Sequence, residues 1–215
     1  MIENILPAQV AVTEAFGDPR EARLFPVEAE LVRRSVEKRR REFTTVRWCA
    51  RQALGRLEVP PAPILPGAKG APQWPAGVVG SMTHCDGYRA AAVALGSDAV
   101  AIGIDAEPCL PLPAGVGDAV SLAAERDRER GLRRSAPDVP WDRLLFSAKE
   151  SVYKAWFPLT RRWLDFEEAD VVLGRDGTFT ATLSAALPAQ VPGVFAGKWL
   201  MADGLLVTAI ALLRA

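Results

Sequence analysis

A dense run of proline and glycine over residues 60–75 most constrains how this 215-residue chain can fold. Proline lacks the backbone N–H that helices and central strands use, and glycine favours turns, so the run predicts a loop without regular structure. Residues 28–58 before it contain no proline and favour one or two helices with exposed basic side chains. The run therefore ends a helical region and separates it from a different kind of structure.

The rest of the chain alternates between strand-like and helix-like segments. Turn residues at 96–98 predict a hairpin in the first group of strands, and Asp203 with Gly204 predicts one in the last. A turn-rich stretch, 108–117, precedes a second helical region, whose last helix we expect to end at Pro158. Helices are predicted over 118–134 and 141–157, and strands over 77–82, 88–95, 100–105, 178–183, 194–201 and 205–213.

Both halves of the chain follow the same order of elements. Each runs from helix to strands and ends in a long predicted hairpin, over 88–105 in the first half and 194–213 in the second. The sequence therefore predicts an α+β fold with two similar lobes, which we divide as residues 1–110 and 111–215.

The formal net charge of zero, from 26 basic and 26 acidic residues, conceals an uneven distribution. Residues 33–56 contain nine Lys or Arg against two Glu and carry +7. A patch of this kind is typical of a nucleic-acid-binding surface, for which Phe43 and Trp48 are the aromatic candidates for base stacking. No predicted strand shows the interleaved aromatic residues that would strengthen this interpretation.

The cysteine content and the apolar segments indicate a cellular location. Cys49, Cys85 and Cys109 are an odd number without CxxC spacing, which predicts neither a disulfide framework nor a zinc ribbon. Residues 1–9 lack a basic stretch followed by an apolar one, and the longest apolar run, 205–213, is far shorter than the ~20 residues that span a bilayer. We therefore expect a cytoplasmic protein without a membrane partner.

Two acidic residues end a predicted strand in the sequence Gly103-Ile104-Asp105-Ala106-Glu107-Pro108. Alternate side chains of a strand share a face, so Asp105 and Glu107 are expected to point the same way. Close carboxylates repel each other unless a cation lies between them, and such hard oxygen ligands favour Mg²⁺ or Mn²⁺. The alternative is a solvated strand end that Pro108 terminates.

Another acidic residue, Glu150, lies in a predicted helix four residues before Lys154. This spacing puts a carboxylate and an ammonium on one helical face, as phosphoryl chemistry often requires. Two other interpretations stay open. The pair could be a surface salt bridge worth about 0.3–0.5 kcal/mol, or Ser147 and Glu150 could form a capping box.

His84 is the only histidine of the chain, which excludes a metal site built from several histidines. A Ser-His-Asp hydrolase would need it, yet no GxSxG motif is present. His84 follows Thr83 at the end of a predicted strand. An imidazole beside hydroxyls at a loop can donate to a phosphate, and the alternative is a structural histidine.

Four ordered blocks of the sequence carry a resemblance to a known family. They are residues 39–43 with 46–47 and 49–51, 70–75 leading to 80–85, 103–108, and 146–158. Together they resemble the Sfp-type 4′-phosphopantetheinyl transferases, most closely the EntD-like branch that serves siderophore, polyketide and mycolate pathways. The likeness spans roughly residues 38–174, and the order of the motifs makes it specific.

The resemblance implies a fold, an activity and partners. The fold is a pseudo-twofold pair of lobes, each a small, mainly antiparallel sheet packed with helices, with the active site in the cleft between them. The enzyme moves the 4′-phosphopantetheine arm of coenzyme A (CoA) to a serine of an apo acyl or peptidyl carrier protein and releases adenosine 3′,5′-bisphosphate. The carriers belong to polyketide, nonribosomal peptide or fatty-acid synthases, no nucleic acid is involved, and the protein is a monomer.

The resemblance also implies roles for individual residues. Asp105, Glu107 and Glu150 would hold Mg²⁺ or Mn²⁺, Glu150 would be the general base, directly or through water, and Lys154 would stabilise the leaving group. The implied CoA-binding residues are Arg39, Arg47, Lys69, Thr83, His84, Asp105, Lys149 and Lys154. The implied lining of the pantetheine channel is Tyr153, Trp163 and Leu164, for which core packing is the alternative.

One departure from the family pattern concerns a phosphate contact. Relatives of the branch carry a lysine where this chain has Pro66, so Lys69 or an arginine would have to substitute for it. A structural paralogue without activity is a further alternative, which the complete set of Asp105, Glu107, Glu150 and Lys154 disfavours.

Overall fold

The computed structural model describes residues 1–188 and 191–214, in which five α-helices and eight strands are formed. The strands make two antiparallel sheets, of order β1-β3-β2 and β4-β8-β7-β6-β5. The helices are α1 (Pro26–Val32), α2 (Glu37–Arg56), α3 (Val116–Val120), α4 (Ala123–Ser135) and α5 (Trp141–Thr160). The strands are β1 (Ala11–Ala15), β2 (Val78–Cys85), β3 (Tyr88–Leu95), β4 (Ala99–Pro108), β5 (Ala169–Leu173), β6 (Thr178–Leu183), β7 (Val194–Ala202) and β8 (Leu205–Leu213).

Strand β3 is the centre of the first sheet and is buried along nearly its whole length. Because alternate side chains face opposite ways, it contributes to two cores. Ala91 and Val93 pack with Leu54 of α2 on one face. On the other face, Ala92 belongs to a core with Ile104 of β4, in the second sheet. The small alanines of β3 therefore allow a helix and a second sheet to approach it from both sides.

Helix α5 packs across the second sheet. Its apolar residues recur at helical spacing and join Phe179 of β6 and Ile210 of β8 in one core. The helix also crosses β4 at very close range, since a Cβ at Gly103 would lie 1.9 Å from the carbonyl oxygen of Ser151. The apolar helix residues are Leu145, Ala148, Val152, Ala155 and Trp156.

The predicted α+β fold class is confirmed by two antiparallel sheets that pack with helices. The predicted hairpin over 194–213 is also confirmed, with Asp203 and Gly204 at positive φ in its turn. The predicted hairpin over 88–105 is wrong, because β3 pairs with β1 and β2 whereas β4 pairs with β8. The division of the lobes at residue 110 stays a prediction, and it assigns β4 to the first lobe although β4 is hydrogen-bonded to the second sheet.

The helices differ from the prediction in two places. Helix α5 continues through Pro158 and ends at Thr160. The residue that follows it, Arg161, has a φ of 55° and caps the helix. Proline is tolerated there because the missing N–H falls in the last turn and costs a single hydrogen bond. The predicted helix over 118–134 is divided into α3 and α4 by extended backbone at Ser121 and Leu122. Among the helices of the described residues, none has the length and apolar character needed to cross a membrane.

The short strands β1 and β5 were not predicted from the sequence. Each has five residues, which is too few to show a clear alternation of apolar and polar side chains. They lie at the outer edges of the two sheets, and each pairs with one neighbour. Their place in the fold therefore depends on contacts with a longer strand.

The substitution Gly103→Ala should destabilise the protein by about 3 kcal/mol, because the added methyl group overlaps the backbone of α5. Urea denaturation measures this change. The matched control is Gly55→Ala in α2, where a Cβ meets no atom within 4 Å. We expect the control to stabilise the helix by about 0.5–1 kcal/mol. Equal stability of the two variants would contradict the close approach of α5 to β4.

Candidate active site

A cleft of about 1140 Å³ opens between the first sheet, the loop around residues 66–74 and helix α5. This volume lies just above the range for small-molecule sites, roughly 300–1,000 Å³. The cleft can therefore hold a large ligand. Among its polar lining residues are Arg39, Arg47, Lys69, His84, Glu150, Tyr153 and Lys154.

Lys154, which lines this cleft, forms an ion pair with Asp105 of β4. The Lys154 ammonium donates to Asp105 Oδ1 at 2.7 Å and to the carbonyl oxygen of Ile104 at 3.0 Å. Asp105 is 5% exposed, and its second oxygen, Oδ2, is buried and has no hydrogen-bond partner within residues 1–188 and 191–214. A buried carboxylate oxygen without a partner is costly, so this atom marks a place for a cation or a donor.

Thr83 and Ser81 of β2 fix the strand that carries Asp105. The Ser81 hydroxyl accepts from the Ile104 amide at 3.1 Å, and the Thr83 hydroxyl accepts from the Ala106 amide at 3.0 Å. Thr83 also donates to Asp105 Oδ1 at 3.3 Å. In the described part of the chain β2 and β4 share no backbone ladder. The two hydroxyls therefore accept from the β4 amides that have no partner in the sheet, and Thr83 also orients Asp105.

Glu107 is held by Arg143, a residue that the sequence analysis missed. Arg143 donates to Glu107 Oε2 at 2.7 Å and also binds the carbonyl oxygens of Leu110 and Pro111. It lies on α5 seven residues before Glu150, a spacing that returns to the same helical face. That spacing is the signal that could have identified it.

The carboxylates of Asp105, Glu107 and Glu150 interact electrostatically. Burial raises the pKa of Glu150 above its usual value, and the charges of Asp105 and Glu107 raise it further, although the Lys154 ammonium acts against them. Burial and the charge of Asp105 likewise raise the pKa of Glu107, against the effect of Arg143. Both carboxylates therefore hold their protons more tightly than exposed glutamates do.

The alternatives considered for Glu150 fail in this geometry. Lys154 pairs with Asp105, so Glu150 and Lys154 do not form a simple surface salt bridge. Ser147 lies inside α5, which begins at Trp141, and its hydroxyl contacts Thr208 at 3.0 Å. A capping box from Ser147 to Glu150 is therefore excluded.

The carboxylates of Asp105, Glu107 and Glu150 fit a hard divalent cation in their chemistry. One of the three has a buried oxygen without a partner among the described residues. Oxygen donors of this kind suit Mg²⁺ and Mn²⁺. Within residues 1–188 and 191–214, no three His, Cys, Asp or Glu side chains are close enough together to form a ready-made metal cage. As they stand, the three carboxylates therefore do not form a closed metal site.

His84 and Arg39 lie side by side in the cleft. A guanidinium nitrogen of Arg39 is 3.2 Å from His84 Nε2, and Glu42 lies 3.7 Å from Nδ1. Burial lowers the pKa of His84, although the Glu42 carboxylate opposes this. A neutral imidazole beside an exposed arginine can donate or accept one hydrogen bond while the arginine supplies positive charge.

Arg47 reaches the cleft but is largely occupied within the protein. It donates to the carbonyl oxygen of Ile64 at 2.9 Å, and its guanidinium carbon lies 3.2 Å from the centre of the Phe43 ring. Burial lowers its pKa to about 10. The expectation that the basic side chains of this region are all exposed is therefore wrong for Arg47. Phe43 is buried as well, so it offers no surface for stacking a nucleic-acid base.

Lys149 is not brought into the cleft. Its ammonium lies 2.8 Å from Glu125 of α4 and donates to the carbonyl oxygen of Phe166 at 2.7 Å. Burial lowers its pKa, whereas the hydrogen bond to Glu125 opposes this. The predicted contact of Lys149 with CoA is thus unsupported by this geometry, in which the residue joins α5 to α4.

The three residues predicted to line a pantetheine channel occupy different environments. Tyr153 lines the cleft, and its ring centre lies 4.9 Å from that of Trp163, which is 53% exposed. The Lys69 ammonium approaches the Trp163 ring at 5.9 Å from the opposite side of the cleft. Leu164 is buried in the core under α5, which agrees with core packing, the alternative to a place in the channel lining.

Comparison with known families and proteins gives consistent matches. Residues 27–94 match the 4′-phosphopantetheinyl transferase N-terminal domain, and residues 101–202 match the 4′-phosphopantetheinyl transferase superfamily. The chain is 56% identical to the 4′-phosphopantetheinyl transferase Svp of Streptomyces mobaraensis, over 98% of this chain and 89% of that protein. It is 49% identical to the 4′-phosphopantetheinyl transferase Npt of Nocardia iowensis, over 98% and 99%. Enterobactin synthase component D of Salmonella typhi is 32% identical over 58% of this chain and 51% of its own length.

The substitution Asp105→Asn should lower the pKa of Glu150 toward its ordinary value, because it removes a negative charge that disfavours a second one. Carbon NMR of the glutamate side chains across a pH series, without added metal, measures this. The control Asp176→Asn changes an exposed carboxylate in the turn between β5 and β6 and should leave Glu150 unaffected. A rise in the Glu150 pKa would contradict the proximity of the two acids.

Proposed function

The chain belongs to the 4′-phosphopantetheinyl transferase superfamily, and on that premise we propose which of its residues carry out the family reaction. The enzyme transfers the 4′-phosphopantetheine group of CoA to a carrier protein. The observation that supports our assignment is the grouping of Asp105, Glu107, Glu150 and Lys154 where β4 meets α5, with Glu150 and Lys154 lining the large cleft.

We place the phosphates of CoA against the basic side of the cleft. Arg39 and His84 are adjacent there, and Lys69 approaches from the loop that follows Pro66. A guanidinium can donate two parallel hydrogen bonds to phosphate oxygens, which suits Arg39 to the 3′-phosphate. Lys69 is exposed and can take the role of the lysine that other members carry at the position of Pro66. Tyr153 and Trp163 would then line the path of the pantetheine arm.

We assign Mg²⁺, or Mn²⁺ in its place, to Asp105, Glu107 and Glu150. Their charges act on one another, and Asp105 Oδ2 has no partner among the described residues. When bound, the ion would neutralise the diphosphate of CoA and make its phosphorus more electrophilic. Arg143 and Thr83 support this set, because each holds one of its carboxylates from the side.

Glu150 is our candidate for the general base. A serine hydroxyl of the carrier is a poor nucleophile until its proton has an acceptor, and a glutamate of raised pKa is a better acceptor than an exposed one. The proton moves from the serine to a Glu150 oxygen, directly or through water, while the serine oxygen bonds to the β-phosphorus and the bond from that phosphorus to the bridging diphosphate oxygen breaks. Lys154 stabilises the negative charge on the 5′-phosphate oxygen of the departing adenosine 3′,5′-bisphosphate.

The partners and location are proposed at a coarser level. The acceptors are apo acyl or peptidyl carrier proteins of polyketide, nonribosomal peptide or fatty-acid synthases. Siderophore assembly is among the pathways, because one relative is named as an enterobactin synthase component. We propose a monomer that acts in the cytoplasm, the location predicted from the cysteine content.

The variant Glu150→Gln should reduce transfer at least ~100-fold, since the amide cannot accept the serine proton. The assay incubates purified protein with CoA, Mg²⁺ and several apo carriers and follows the added mass by intact mass spectrometry. The matched control Glu167→Gln alters an exposed carboxylate outside the cleft and should keep full activity. Wild-type turnover by Glu150→Gln would refute the base assignment, and no transfer to any carrier by the wild-type protein would refute the function.

Arg39→Ala and Arg47→Ala should separate ligand binding from stability. Arg39 is exposed, so its loss should raise the KM for CoA about tenfold without changing the melting temperature. Arg47 is buried and bonded to Ile64, so its loss should also lower the melting temperature by about 5 °C. Arg40→Ala, on the same helix but outside the cleft, is the control. A normal KM in Arg39→Ala would remove Arg39 from the phosphate site.

A further inference from the structure

Glu125 and Lys149 form a fully buried ion pair outside the cleft. Their charged atoms lie 2.8 Å apart, and each side chain is 1% exposed. Neither residue lines the cleft, and the reaction proposed above gives neither of them a part. Two charges removed from water in this way are retained only where their geometry and their remaining hydrogen bonds are good.

The remaining hydrogen bonds of the pair connect four parts of the second lobe. Glu125 Oε1 accepts from the Val171 amide of β5 at 2.7 Å, and Oε2 accepts from the Leu122 amide before α4 at 2.7 Å. Lys149 donates to the carbonyl oxygen of Phe166 at 2.7 Å. One ion pair thus fixes α5 against α4, β5 and the loop that leads into β5.

The opposite flank of α5 is fixed at the neighbouring positions. The Ser151 hydroxyl lies 2.6 Å from Thr208 Oγ1, and the backbone of Ser151 rests directly on Gly103. Glu150 therefore lies between two anchored residues, Lys149 and Ser151. Successive helix residues are about 100° apart around the axis, so anchoring both neighbours sets the direction in which Glu150 leaves the helix.

We propose that Glu125 and Lys149 are positioning residues for Glu150, and that their ion pair holds the rotation of α5 at which Glu150 faces Asp105 and Glu107. This inference rests on the role proposed for Glu150. It gives Lys149 an effect on catalysis without contact with CoA. A small error in placing a reactive group is sufficient for a large loss of rate, about 100-fold for a displacement near 1 Å.

The test compares Glu125→Leu, Lys149→Met and the double variant in the mass assay, with CoA and carrier varied in turn. Each single variant leaves one buried charge without its partner, which should shift α5 and lower kcat by about 100-fold while the KM for CoA stays within about twofold. The double variant removes both charges but leaves the Val171 and Leu122 amides without their acceptor, so it should recover kcat in part, to within about tenfold of wild type. If the second substitution restores part of the kcat lost in the first, the two residues act on Glu150 through their ion pair.

Two outcomes would overturn the proposal. If Lys149→Met raised the KM for CoA tenfold or more and the double variant did not recover, Lys149 would contact CoA directly. If the single variants lowered the melting temperature but left kcat and KM unchanged, the pair would be purely structural. Failure of the general-base role proposed for Glu150 would be seen in a different experiment, as normal turnover by Glu150→Gln, which changes neither residue of the pair.

Circular dichroism controls for folding in each variant, and assays are run well below each melting temperature. If Glu125→Leu yields no folded protein, Glu125→Gln replaces it, since the amide keeps the shape and one acceptor oxygen. Glu129→Leu, on the same helix α4 and paired with Arg133, is the matched control and should leave kcat unchanged. A 100-fold loss in this control would show that any disturbance of α4 acts on the cleft, and would overturn the specific role of the pair.

Discussion

The contact of helix α5 with strand β4 at Gly103 is the constraint on which the candidate site depends. Glycine brings the Ser151 carbonyl to a distance that no side chain would permit. Asp105 follows Gly103 by two residues on the strand, and Glu150 and Lys154 lie within three residues of Ser151 on the helix. The same approach therefore determines how far apart the acids of the two elements lie, and it lets Lys154 reach Asp105.

The site separates charges of opposite sign along one cleft. Glu107 and Glu150, the carboxylates of raised pKa, lie where β4 meets α5, whereas Arg39 and Lys69 lie on the side of α2 and the proline-rich loop. A polyphosphate ligand is attracted to the second region and repelled by the first unless a cation accompanies it. A formal net charge of zero is therefore compatible with the binding of a strongly anionic substrate, because the local distribution of charge and not the total faces the ligand.

Much of the site could be predicted from the sequence, because its motifs are local. Asp105 and Glu107 alternate on a strand, and Glu150 and Lys154 are one helical turn apart, so each pair followed from simple periodicity. The partner of β4 could not be predicted, because an apolar strand after a turn fits an adjacent hairpin as well as a distant strand such as β8. The burial of Arg47 and Lys149 could not be predicted either, because the acids that pair with them, Glu28 and Glu125, lie far away in the sequence.

Beside the apolar core that Ala92 and Ile104 share, the hydrogen-bonded seam between the two sheets is made by the hydroxyls of Ser81 and Thr83 instead of by a backbone ladder. A ladder is available to almost any residue, whereas this seam exists only while two particular side chains are present. Alanine at both positions would preserve every strand and yet leave two buried amides of β4 unsatisfied, each at a cost of about 1–3 kcal/mol. The polar part of the joint between the two sheets is thereby encoded in two oxygen atoms, and it can change in evolution without any change of topology.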